Sequence, residues 1–300
     1  MRITILFLVT ILACSCKEAP HPPEVCGISK WKVGEKLLYN AVSYKAEDEK
    51  VVPESEIHYR VELDVQALGK QNILSWTWIV PFIKADSLRT VKEKWSNDSI
   101  GYRPLFHIVY EVNEKGEYAG ILNWKELKNM EDSIWDAQFK NIRGIPASRQ
   151  DTLDRMKEKF LTRPNIEATL TKDINAFHIL YGTAVSLSPV VTRGTALGNQ
   201  EGGSMKTEVL KDSTGFMQVR ISMELPQAQT KAIMNEMMGF FKNDTLKASI
   251  QVRDTAIVDM NKEIGWPSYV RFWRILTVEG KKYKMYIGLK RKKLVSPVNG

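Results

Sequence analysis

Ile57-His58-Tyr59-Arg60-Val61-Glu62-Leu63-Asp64-Val65-Gln66-Ala67 is the most regular stretch of this chain. Ile57, Tyr59, Val61, Leu63, Val65 and Ala67 alternate with His58, Arg60, Glu62, Asp64 and Gln66. Successive side chains of a strand point to opposite faces, so one face is apolar and the other charged. The pattern predicts a half-buried antiparallel strand and a sheet with one covered face.

Working outward, Gly34 precedes a strand over Leu37 to Tyr44, which the polar residues Lys45 to Glu49 end in a hairpin-like break. Downstream, Gly69-Lys70-Gln71-Asn72 turns the chain into Ile73 to Ile83, which is apolar on both faces and carries Trp76 and Trp78 on one side. That composition suits a central strand. Leu88 to Lys94, Leu105 to Val112 and Tyr118 to Leu122 also read as strands, the last two joined by a turn at Asn113-Glu114-Lys115-Gly116.

The period then changes. Asn123 is placed to cap a helix in which Trp124, Leu127, Met130, Ile134, Trp135, Phe139 and Ile142 fall at three and four spacing, with Gly144 as its stop. Leu153, Met156 and Phe160 mark a second helical stretch. Pro164 opens a third, with Ile166, Leu170, Ile174, Phe177 and Leu180 on one face and Gly182 ending it. Extended character resumes at Thr183 to Val191, and Gly194 to Gly203 reads as a loose connection, either a long hairpin loop or a lid. Its glycines lack the spacing of a phosphate-binding loop.

Met205 to Leu210 and Phe216 to Leu225 form a predicted hairpin about Asp212-Ser213-Thr214-Gly215. Pro226 opens a methionine-rich helix over Gln227 to Phe241. Leu246 to Val252, Tyr269 to Val278 and Lys282 to Leu289 alternate again. The fold class expected is α+β: a curved, half-barrel-like antiparallel sheet with a mid-chain group of helices packed on one face. The divisions expected are 1–16 leader, 17–30 tether (with Pro20, Pro22 and Pro23), 31–295 one domain, and 296–300 tail.

Lys and Arg number 43 against 35 Asp and Glu, a formal charge of +8, modest for 300 residues. Lys281, Lys282, Lys284, Lys290, Arg291, Lys292 and Lys293 crowd the C-terminal end, and charges on an edge strand that forbid edge pairing explain such a run. Contact with anionic lipid or lipopolysaccharide is the alternative. No nucleic-acid motif is present.

Three cysteines fall near the N-terminus, at Cys14, Cys16 and Cys26. Met1-Arg2 is followed by an apolar run from Ile3 to Ala13. As helix that run reaches about 16 Å, roughly half of a bilayer core, so it reads as a signal and not a span. Ile11-Leu12-Ala13-Cys14 resembles the lipobox of bacterial lipoproteins, and Ala13-Cys14-Ser15-Cys16 offers a second register. Lys17-Glu18 is similar to the charged tags of surface lipoproteins in the Bacteroidetes group. The resemblance implies acylation of Cys14 or Cys16, palmitate being one of the chains, and an outer-membrane location facing periplasm or cell surface. Several acyl chains anchor firmly where one does not. In element order the chain also resembles the half-barrel carriers of bacterial envelopes that cup a lipid chain.

Chemistry-bearing patterns are few. No H-E-x-x-H, G-x-S-x-G or zinc-spaced cysteine set occurs, so neither metal nor cofactor is expected. His58 shares a strand face with Glu56, which a solvated surface explains as well as a catalytic pair does. His107, flanked by Phe106 and Ile108 with Leu105 and Val109 on its own side, reads as a core histidine. The function expected is non-enzymatic binding of an amphiphile or an envelope protein partner, lined by Trp76, Trp78, Met217, Met223, Met237 and Phe241, residues that ordinary core packing would also explain. An envelope hydrolase acting on glycan, peptide or lipid, with His58 and Glu56 as its polar pair, is the alternative from another class. A structural subunit of an envelope assembly is a third.

Overall fold

Alternation along Ile57–Ala67 translates directly into burial: Val61, Leu63 and Val65 are fully covered while Arg60, Glu62 and Asp64 stay partly open. This strand, β4, lies between two others of similar make. It pairs antiparallel with β2 (Lys36–Glu47), Val61 opposite Tyr39, and with β5 (Asn72–Ile83), Leu63 opposite Trp76. These relations come from a computed structural model, which describes residues 24–25, 30–83, 100–139, 147–185, 190–196, 200–225, 230, 250–278 and 280–292.

The other strands are β1 (Glu24–Val25), β3 (Lys50–Val51), β6 (Ile100–Val112), β7 (Tyr118–Ile121), β8 (Ala184–Val185), β9 (Val190–Ala196), β10 (Gln200–Asp212), β11 (Phe216–Glu224), β12 (Ile250–Asn261), β13 (Trp266–Val278) and β14 (Lys281–Arg291). One sheet runs β7-β6-β5-β4-β2-β14-β13-β12-β11-β10-β9, with β3 attached to β2, every pairing antiparallel and the edges at β7 and β9. The basic C-terminal run therefore does not guard an edge. β14 is interior, between β2 and β13, and its lysines stand at the strand ends and on the open face. The glycine-rich stretch is largely strand, Gly203 standing opposite Gly194 beside a bulge. Glu24–Val25, within the expected tether, forms a separate ladder with Ala184–Val185.

Four helices come after β7 among the described residues: α1 (Trp124–Phe139), α2 (Ala147–Phe160), α3 (Arg163–Leu170) and α4 (Lys172–His178). The single helix expected from Pro164 onward is thus two. It breaks at Thr171, whose φ of -102° and ψ of 9° leave the helical well and whose hydroxyl donates to the Glu167 carbonyl at 2.6 Å. Such back-bonding competes with the regular ladder and bends helices. Asn123 sits where a cap belongs but does another job. Its Oδ1 accepts from Val109 N–H at 2.9 Å and its Nδ2 donates to the His107 carbonyl, tying the start of α1 to β6.

α4 carries Phe177 into the centre of the covered face. Its ring lies 5.3 Å from Tyr39 and 5.3 Å from Trp76, edge-on to both. Trp31 stacks flat on Trp266 at 4.2 Å, with Tyr181 edge-on at 5.0 Å. Three polar tips there have partners: Tyr39 Oη donates to the Pro267 carbonyl, Trp266 Nε1 to Glu35 and Tyr181 Oη to the Gly265 carbonyl. Aromatic burial of this kind dominates core energetics where the polar ends are satisfied.

The core histidine is His178 and not His107. His107 is exposed, its Nδ1 2.8 Å from the Thr77 hydroxyl, because the covered phase of β6 is Phe106, Ile108, Tyr110 and Val112. His178, fully enclosed, donates from Nδ1 to the Gly116 carbonyl at 2.7 Å and accepts at Nε2 from Tyr110 Oη at 2.9 Å. Burial pulls its imidazole down to about 4.

Candidate functional site

Residues of β2, β4, β5 and β14 and of the α3–α4 junction line a cavity of about 310 Å³. Its walls come from three directions: Ser43, Tyr44 and Lys45 of β2 with Met285 and Ile287 of β14; Tyr59, Trp78 and Val80 of β4 and β5; and Thr169, Lys172 and Asp173 from the α3–α4 junction. Ile57 and Leu105 stand at its mouth, 54% and 39% exposed. Most of the lining is apolar, and the volume lies at the lower end of the roughly 300–1,000 Å³ usual for small-molecule sites.

Asp173 is the buried charge in that lining. It is 5% exposed, and Tyr59 Oη donates to its Oδ2. The break at Thr171 starts a new helix, and Asp173 falls in its first turn against β4. Burial pushes its carboxyl up to about 6, while the Tyr59 hydrogen bond and the neighbouring Lys172 ammonium act in the opposite sense. Burial, aided by the Asp173 charge, drives the Tyr59 phenol well above its ordinary range. Lys172 lies on the open side of α4. Partial burial of its amino end, with repulsion from Arg274 and Lys45, lowers its ammonium below the usual lysine value. Arg274 is itself held by a two-pronged bond to the buried Asp254, both distances 2.7 Å.

Of the residues expected to line a ligand site, Trp78 does so. Its indole Nε1 is buried without a hydrogen-bond partner, as is that of Trp76. Trp76 is covered by Phe177 and belongs to the core, and Met217 and Met223 are buried on β11, away from the cavity lining. Met237 and Phe241, with the Gln227 to Phe241 helix apart from Thr230, the Leu88 to Lys94 strand, Gly144, Cys14, Cys16 and Cys26, lie outside the described residues. His58 Nε2 does meet Glu56 Oε1 at 2.7 Å, but the two side chains are 70% and 49% exposed and stand apart from the cavity lining.

A second hollow, between α1 and α2, is lined by Lys128, Asp132, Asp154, Lys157, Glu158 and Leu161. Lys157 bridges Asp132 and Asp136 there, both at 2.7 Å, so the charges already answer one another. Among the described residues no group of three or more His, Cys, Asp or Glu side chains converges to hold a metal, and no helix is long and apolar enough to cross a membrane.

The chemistry available at the main cavity is therefore a greasy wall, hydroxyls at its edge, one buried carboxylate and two lysines. The sequence carries no motif for Asp173. Tyr59, which covers it, belongs to the apolar phase of a strand far away in sequence. No protein-family model matches this chain, and no curated protein matches it either.

Proposed function

We propose that this protein is a bacterial envelope lipoprotein, anchored through lipid on Cys14 or Cys16, that holds the aliphatic part of an amphiphile in the cavity beneath Ile57 and Leu105. In this reading the sheet curves as a half-barrel about the helices, and the open end at Ile57 and Leu105 is the entrance. The observation that carries it is an apolar cavity whose mouth keeps large hydrophobic side chains in water. Each methylene taken up from solvent contributes ~0.8 kcal/mol. Among the described residues the cavity gathers one carboxylate and no histidine, which supports a carrier over a hydrolase, since a hydrolase needs a nucleophile with its base or a pair of acids.

The test is mass spectrometry of lipids that co-purify with the full chain and with Ile57→Asp and Leu105→Asp variants. A charge at the mouth should empty the cavity while leaving circular dichroism unchanged. Equal lipid recovery from folded variants and parent would refute the cavity as the binding site. Labelling with an alkynyl fatty acid in cells, on Cys14→Ser and Cys16→Ser separately, checks the anchor: the label should vanish from one variant.

A further inference from the structure

We infer that the amphiphile held here carries a zwitterionic headgroup, an ammonium set against the Asp173 carboxylate and a phosphate set against Lys172 and Lys45, as in a phosphoethanolamine lipid. The inference rests on the cavity being an amphiphile site and adds the class of ligand. Asp173 is 5% exposed and shares the cavity lining with Tyr59, Trp78 and Ile287. A carboxylate has room for about four hydrogen bonds. Among the described residues Tyr59 is the donor to Asp173, and no ion pair reaches it. A buried carboxylate so sparsely served favours a cation or an N–H donor brought by the ligand.

A purely cationic amphiphile would meet Asp173 but be repelled by Lys172 and Lys45, both on the cavity lining, with Arg274 close enough to act on Lys172. A purely anionic one would answer the lysines and leave Asp173 opposing it. An ammonium and a phosphate a few bonds apart complement both sets of charges at once. The tail then runs along Val80 and Met285 toward Ile57 and Leu105 at the mouth.

The experiment titrates the full chain, in a non-ionic detergent and by native mass spectrometry, with monoacyl lipids of one chain length bearing phosphoethanolamine, phosphoglycerol or a bare ammonium. Phosphoethanolamine should bind about tenfold tighter than either of the others. Asp173→Asn keeps the shape and an acceptor for Tyr59. It should erase the preference over phosphoglycerol without weakening phosphoglycerol itself, and Lys172→Gln should weaken both phosphate-bearing lipids. Free phosphoethanolamine, lacking a chain, should bind far more weakly than the lipid. Equal affinities across the series in the parent chain, or a preference that survives Asp173→Asn, would overturn the headgroup assignment alone. Failure of every lipid to bind would overturn it together with the cavity reading. If Asp173→Asn does not fold, the headgroup series on the parent chain decides by itself.

Discussion

Two buried ionisable side chains pull the acid stability of this protein in opposite directions. Asp173 titrates at about 6 in the folded chain against an ordinary 3.8, so the fold binds its proton more tightly than the unfolded chain does. Its contribution to stability is complete below roughly pH 4 and is lost as pH rises through about 6. His178 is depressed from 6.5 to about 4, so its contribution is present above 6.5 and is lost as pH falls through about 4. Across the shared window the slopes oppose. Asp173→Asn removes one of them, so relative to the parent it should lose about 2 kcal/mol of stability between pH 7 and pH 4. Urea unfolding at the two pH values measures this, and parallel losses would show that Asp173 is not a buried acid. Neither residue is legible as such in the sequence. His107 reads as the core histidine because both phases of β6 are apolar around it. His178 is the one enclosed because Tyr110 and the Gly116 carbonyl, distant in sequence, close over it.

The individual strands are largely readable because alternation is local: β4, β5, β11 and β13 fall where the apolar periods put them. Among the helices, the α3–α4 break is not, because it arises from a single hydroxyl turning back on a carbonyl within an otherwise continuous apolar face. The short helix beyond that break contributes the ring on which the core closes. Phe177→Ala removes a side chain packed between Tyr39 and Trp76 and should cost about 3–5 kcal/mol. Phe160→Ala, at the exposed end of α2, should cost under about 1 kcal/mol in the same urea assay. Gly182 ends this region with a φ of +71°, and a Cβ there would stand 2.5 Å from the Glu117 side chain. Gly182→Ala should therefore lower stability by about 1–2 kcal/mol, the left-handed backbone contributing most because Glu117 can swing aside.

At the scale of the whole molecule the sheet is two halves joined by one seam. The first half, β2 to β7, comes before the helices in the chain and the second, β9 to β14, after them; β14 pairs back onto β2, Leu289 opposite Ala41. Period-two alternation announces each strand and is silent on which strand it joins, which is why the basic C-terminal run reads as an edge when it lies inside the sheet. A seam between the first and last long strands closes nearly the full length of chain before it is rewarded, which makes folding slow and leaves long strands unpaired until the end. A chain cut before Lys281 would keep β2 and β13 as open edges beside buried Tyr39 and Phe272. Long apolar edges pair with other chains, so the truncated protein should aggregate and lose its cooperative unfolding transition, as light scattering and thermal circular dichroism would record. A synthetic Lys281–Arg291 peptide added during refolding can fill the gap by strand addition. Soluble, cooperatively folding protein should return with the peptide and not with a scrambled one. If the truncated chain folds cooperatively without it, the two halves are independent and the seam is not what unites them.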